Sequence, residues 1–312
     1  MWIIFAVVVF GLLALDLFVI NRNPHEIKTK EAFWTSMFWI SISLVFNAFV
    51  FYERGVTAGL EFFAGYLIEK ALSVDNIFVF VVIFAYFQVP PKYQHRVLFL
   101  GILGALILRG TLIFVGATLI ERFHWIIYIF GAFLIYTAYR LATQDEDGVH
   151  PDKNPIVNLF RRFLPVTPDF VQEKFLTRVN GVLMATPLLI VLLVVETTDV
   201  VFALDSIPAI FAITTDMFIV FTSNVFAILG LRALYFLLAG VMGSFRFLKT
   251  GLAFILGFVG MKMLIEIVGI HVPIYLSLGV IVFVLTISIL ASMIAQRREE
   301  RELALLQKSN ES

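Results

Sequence analysis

Six side chains able to bind a cation or carry a proton lie inside stretches that otherwise read as membrane-spanning. Glu69, Asp75 and Asn76 fall in an apolar run from about 57 to 87. Glu196, Asp199 and Asp205 fall in a second run from 182 to 213. An ionisable group at bilayer depth costs roughly 2.5–3.5 kcal/mol on insertion scales, so it persists where it faces a bundle interior or a watered path. The chemistry this suggests is passage of a cation. Ser73, Thr197, Thr198, Ser206 and Asn224 lie nearby, and every donor in the set is oxygen. The chain has no cysteine, and its 5 histidines (His25, His95, His124, His150 and His271) fall in connections or at the ends of apolar windows. An all-oxygen set suits Mg²⁺, Ca²⁺ or Mn²⁺ and argues against Cu(I) and a thiolate zinc site. The five carboxylates exceed what one dication needs. The surplus is expected to pair with Arg109, Arg232, Lys70 or Lys262, or to hold protons. The rival reading of these acids is purely structural, as ion pairs with Arg109 and Arg232.

Such groups need a scaffold of apolar helices, and the composition supplies one. Of 312 residues, 60% are hydrophobic and 15% charged, with a mean hydropathy of +0.95. Those values describe a polytopic all-α membrane protein. The zero net charge gives no sign of nucleic-acid binding. No nucleophile–base pair or hydrolase motif is present, so no enzyme is expected. The 34 phenylalanines are scattered as lipid-facing filler, and the 8 methionines form no stripe.

Apolar windows of helical length fall near 2–20, 33–52, 58–87, 97–120, 124–142, 182–212, 217–241, 250–269 and 273–295, which predicts nine spans. The connections on the side of the N-terminus carry Arg54 and Arg122 only. The opposite side collects the remaining loop cations, from Arg22, Lys28 and Lys30 to Arg297, Arg298, Arg301 and Lys308 in the tail. The positive-inside rule then places the N-terminus outside and the C-terminus in the cytoplasm. Residues 1–56 form two peripheral spans and 143–180 a polar cytoplasmic loop. Residues 271–312 form the last span and a charged tail.

The two acidic runs align with each other. Asp75-Asn76-Ile77 matches Asp205-Ser206-Ile207, and Glu69 then falls on Asp199. The next spans follow suit, with Arg109 opposite Arg232, Gly131 opposite Gly257 and Tyr136 opposite Lys262. Residues 57–142 and 181–270 therefore read as two three-helix units. An odd number of spans per unit gives inverted topology, with a site expected near the midplane between the units. On an unbroken helix Glu69 and Asp75 sit about 120° apart, as do Asp199 and Asp205. Convergence of all the acids on one site therefore requires breaks. Pro208 supplies a cause in the second run; in the first, a break at Asp75-Asn76 is expected only from symmetry.

The segments Tyr66-Leu-Ile-Glu69-Lys-Ala-Leu-Ser-Val-Asp75-Asn76, Glu196-Thr-Thr-Asp199-Val-Val-Phe-Ala-Leu-Asp205-Ser-Ile-Pro208 and Thr222-Ser-Asn224-Val-Phe-Ala-Ile-Leu-Gly-Leu-Arg232 resemble the TerC family of integral membrane proteins, and its bacterial Alx branch in particular. The resemblance runs over nearly the whole chain. It implies a multi-pass protein of the bacterial inner membrane in a tellurium-resistance and alkaline-response group, with kinship to LysE-type exporters. It also implies manganese export, with the lipid bilayer and a divalent metal ion as partners and no bound cofactor. Older descriptions of such proteins as redox modulators sit poorly with a chain that lacks cysteine. Plant relatives linked to thylakoid biogenesis suggest a different class, an assembly partner. Exporters of another cation or of an amino acid form a further alternative.

Overall fold

The structure, a computed structural model, describes residues 1–15, 29–143, 164–179, 181–238, 247–265 and 269–310. Among them are nine helices and one two-stranded antiparallel hairpin. Helix α1 (Trp2–Leu15) is apolar on every face, as a helix surrounded by lipid and protein should be. Helix α2 (Thr29–Tyr86) runs for 58 residues and contains one non-helical residue, Gly55, at φ 87° and ψ 178°. That conformation is open to glycine and closed to side chains with a Cβ. The second and third apolar windows are therefore two arms joined by a single residue.

Helix α3 (Pro91–Arg122) opens on a proline, which needs no partner for its missing N–H there. Helix α4 (Ile126–Thr143) follows. Most of the long polar loop lies outside the described residues. Its end forms the hairpin β1 (Leu176–Val179) and β2 (Val182–Ala185), with Val179 opposite Val182. The sixth window thus begins as a strand, and its helix α5 (Pro187–Phe211) starts at a proline after Thr186. Helices α6 (Met217–Leu229) and α7 (Leu231–Leu238) meet at Gly230 with a bend of 42°. Helices α8 (Leu248–Ile265) and α9 (Ile274–Asn310) complete the fold.

Among the described residues, each of the nine apolar windows overlaps a helical segment, and the count of nine spans is not thereby established. Among the described residues, five helices are long and apolar enough to cross a membrane, or six if the bent pair α6–α7 is one span. Helix α1 is shorter, apolar over Trp2–Leu13. The expected breaks inside the acidic runs are absent. Helix α2 continues through Asp75-Asn76, and α5 continues through Pro208 to Phe211. Pro208 sits in the last turn of α5, where few residues remain to be displaced by the lost bond to Leu204. The sharp bend lies instead one helix later, at Gly230.

The core forms where helices from the two halves interleave. Both arms of α2 pack on α6 through Trp39, Phe46, Phe62, Tyr66 and Phe226, and α1 adds Phe5 and Val9 to the same cluster. Helix α3 lies against α5 and α6. Helices α4 and α8 pack against each other at Gly131 and Gly260. A Cβ on Gly260 would sit 2.7 Å from the Gly131 carbonyl oxygen, so the two backbones touch directly. Close approach through small residues is how helices associate without a hydrophobic driving force.

Candidate functional site

Three elements deliver charge to one point in this interior. Arg109 on α3 is 1% exposed, Glu69 on α2 is 0% exposed and Asp199 on α5 is 3% exposed. Arg109 grips Asp199 with a fork, Nε to Oδ2 at 3.1 Å and Nη2 to Oδ1 at 2.8 Å. Its Nη1 donates to Glu69 Oε1 and lies 3.5 Å from the Ser206 hydroxyl. A guanidinium is suited to this because its donors are planar and fixed, so one side chain can serve two carboxylates.

Neutral amides complete the ring. Asn224 on α6 donates from Nδ2 to Glu69 Oε2 at 3.0 Å. In the amide orientation that satisfies both of its ends, Asn76 accepts from Arg109 Nη2 at 3.2 Å and donates to the Leu72 carbonyl at 3.1 Å. Three buried oxygens in these segments have no hydrogen-bond partner: Ser73 Oγ, Asn224 Oδ1 and Glu196 Oε2. Glu196 lies one turn before Asp199 on α5, and its carboxylate rests on α3 at Gly104, where any Cβ would collide with it. Two carboxylates and one guanidinium leave the ring with an excess of negative charge.

The remaining candidates face elsewhere. Asp205, a further turn and a half along α5, accepts from Thr137 Oγ1 of α4 at 3.0 Å. Its divergence from Asp199 is the roughly 120° offset of a continuous helix. Thr197 and Thr198 donate to the carbonyls of Leu193 and Val194 in their own helix. Lys70 donates from Nζ to the Ala227 carbonyl at 3.1 Å, near the end of α6. Arg232, 4% exposed, is 2.9 Å from His95 Nε2 through Nη1. Lys262 is buried on α8. The Asp75 side chain lies outside the described residues. Among the described residues, no three histidine, aspartate or glutamate side chains form a ready-made metal cage.

A second polar cluster escaped the reading of the sequence. Arg54 pairs with Asp216 at 2.8 Å, and Glu61 follows on the second arm of α2. Asp216 also caps α6, accepting from Phe218 N at 2.9 Å and Ile219 N at 3.3 Å. A signal existed, because Glu61 is another acid within the third apolar window. Gly104 gave none, since nothing local marks a glycine that receives a carboxylate from another helix.

No solved structure matches the chain. Residues 54–300 match the family described as "Integral membrane protein TerC family". An uncharacterised membrane protein of Myxococcus xanthus is 53% identical over 297 residues, covering 95% of this chain and 93% of its own. A protein of Salmonella typhi named "Putative membrane-bound redox modulator Alx" is 48% identical over 312 residues, covering 97% of each chain. An uncharacterised membrane protein of Rickettsia bellii is 42% identical over 301 residues, covering 96% of this chain and 99% of its own. The match to the family spans Glu69, Arg109, Asp199 and Asn224 alike, and this chain belongs to the TerC family of integral membrane proteins.

Proposed function

We propose that this protein is a transporter of divalent cations that moves manganese out of the cytoplasm, in exchange for protons or driven by the membrane potential. One observation carries the reading. Glu69 and Asp199, from different halves of the chain, converge on Arg109 in a buried, oxygen-lined and net acidic centre. A fold that needed only a structural ion pair would be served by one carboxylate. The second carboxylate, the amides and the unpartnered oxygens beside them are what a hard dication requires. The donor types favour manganese, magnesium or calcium over softer metals, and of these manganese is the reading that the resemblance implies. The excess of Lys and Arg on the side of the tail supports a cytoplasmic C-terminus, and export as the direction rests on the family resemblance.

The relatives' description as redox modulators is compatible with metal export only as an indirect effect, because a chain without cysteine has no thiol couple of its own. The test is efflux of manganese from loaded cells, compared among wild type, Glu69→Gln and Asp199→Asn at matched membrane expression. Wild-type efflux abolished by either change supports the assignment. Full efflux in both variants would sink it. A scaffold role in membrane assembly predicts the reverse pattern, with amide variants active and deletions in the 143–180 loop inactive.

A further inference from the structure

Arg109 occupies the position that a cation would take. The oxygens around its guanidinium are two from Asp199, one from Glu69, the Ser206 hydroxyl and the Asn76 amide oxygen. These are the donor types that an oxygen-ligated dication takes, spread here around the edges of a guanidinium. A metal ion and the guanidinium cannot share it, since both are positive and both need the same lone pairs. Arg109 must have somewhere to go when a cation enters.

Glu196 supplies the place. Its Oε2 is buried without a partner, one helical turn from Asp199. Residues three apart on a helix are neighbours on its surface, with Cβ atoms about 5–6 Å apart. The Glu196 carboxylate rests at Gly104, toward the N-terminal end of α3 from Arg109. Side chains on a helix lean toward its N-terminus, which shortens the axial distance; around the axis Gly104 and Arg109 are about 140° apart, so the guanidinium must swing to reach Glu196. The charges agree as well. With a dication between Glu69 and Asp199 and the guanidinium on Glu196, both groups are neutral. With the guanidinium on the pair, Glu196 is left unpaired.

We propose that Arg109 is a tethered stand-in for the cargo, alternating between the Glu69–Asp199 pair when the site is empty and Glu196 when it is loaded. The proposal rests on the cation-exporter reading and adds the competitor and its second seat. A competitor that holds the empty state raises the apparent Kd by the inverse of the fraction of time it leaves the site vacant.

The experiment is equilibrium binding of Mn²⁺ to purified protein in detergent, alongside manganese uptake into inside-out vesicles. R109Q is expected to bind about tenfold more tightly or better, because the competitor is gone, and to turn over slowly. R109K is expected to shift in the same direction by less, since an ammonium cannot fork two carboxylates; it serves if R109Q does not elute as a folded species. E196Q is expected to weaken binding in the wild-type background and to change nothing in the R109Q background, as a residue acting through Arg109 must. Unchanged or weaker binding in folded R109Q or R109K overturns the proposal. So does an E196Q loss that persists without Arg109, which would make Glu196 a direct ligand. If wild type neither binds nor moves manganese, the exporter reading fails. If wild type does both and R109K leaves affinity unaltered, only the alternation fails.

Discussion

Arg109 and Asp199 are joined by two parallel hydrogen bonds, 3.1 Å and 2.8 Å, between helices that come from opposite halves of the chain. The same guanidinium holds Glu69 of the first half. The residues matched by the repeat alignment, Glu69 and Asp199, therefore share one partner.

Loss of either carboxylate leaves the buried Arg109 guanidinium with donors unsatisfied, although the other carboxylate still balances its charge. Truncating one member of a buried ion pair costs about 3–5 kcal/mol. Asp199→Ala should lower thermal stability in detergent strongly. Asp199→Asn, which keeps the shape and half of the acceptors, should lower it less and still abolish manganese efflux. A melting curve and an efflux trace on the same preparation separate the two effects.

Asp205 should behave differently from Asp199, although both are acids of one helix. Its described bond is a single one from Thr137. Asp205→Asn is expected to cost about 1 kcal/mol of stability and to retain far more efflux than Asp199→Asn. Equal loss in the two variants would show that Asp205 belongs to the cation path.

The Arg54–Asp216 pair offers a contrast within one contact. Both side chains are about a third exposed, at 33% and 31%. Arg54→Gln should therefore change stability by less than about 1 kcal/mol, and less still at high salt. Asp216→Ala also removes the cap of α6, which adds roughly 0.5–2 kcal/mol. Thermal shifts of the two single variants at low and high salt give the ordering.

Gly104→Leu should push the Glu196 carboxylate from its seat on α3. Overpacking of this kind typically costs 1–3 kcal/mol. Transport should fall further than stability alone explains. An intact transport rate in the folded variant would remove Glu196 from the mechanism.

Much of this arrangement was readable from the residues, and the failures have physical causes. Acids inside apolar windows mark buried polar centres because their burial is costly, and Glu69, Asp199 and Asn224 meet in such a centre. The windows gave the helices because twenty apolar residues have few other stable states in lipid. The break was misplaced because a proline speaks loudly in a sequence, yet Pro208 sits where a helix is already ending. Gly230, which bends α6 into α7, looks like any other glycine. The join at Gly55 was hidden for the same reason. Arg232 was matched to Arg109 by position, but its described bond goes to His95. Sequence alignment of the halves transfers a residue type, and the neighbours that decide its partner come from other helices.

The contact between Gly131 and Gly260 limits how the two halves can move. With one peptide plane resting on another, neither sliding nor separation is possible there without a collision or a gap that lipid must fill. Rotation about that point is the cheap displacement. Helices α4 and α8 are therefore pinned to each other where these two glycines meet.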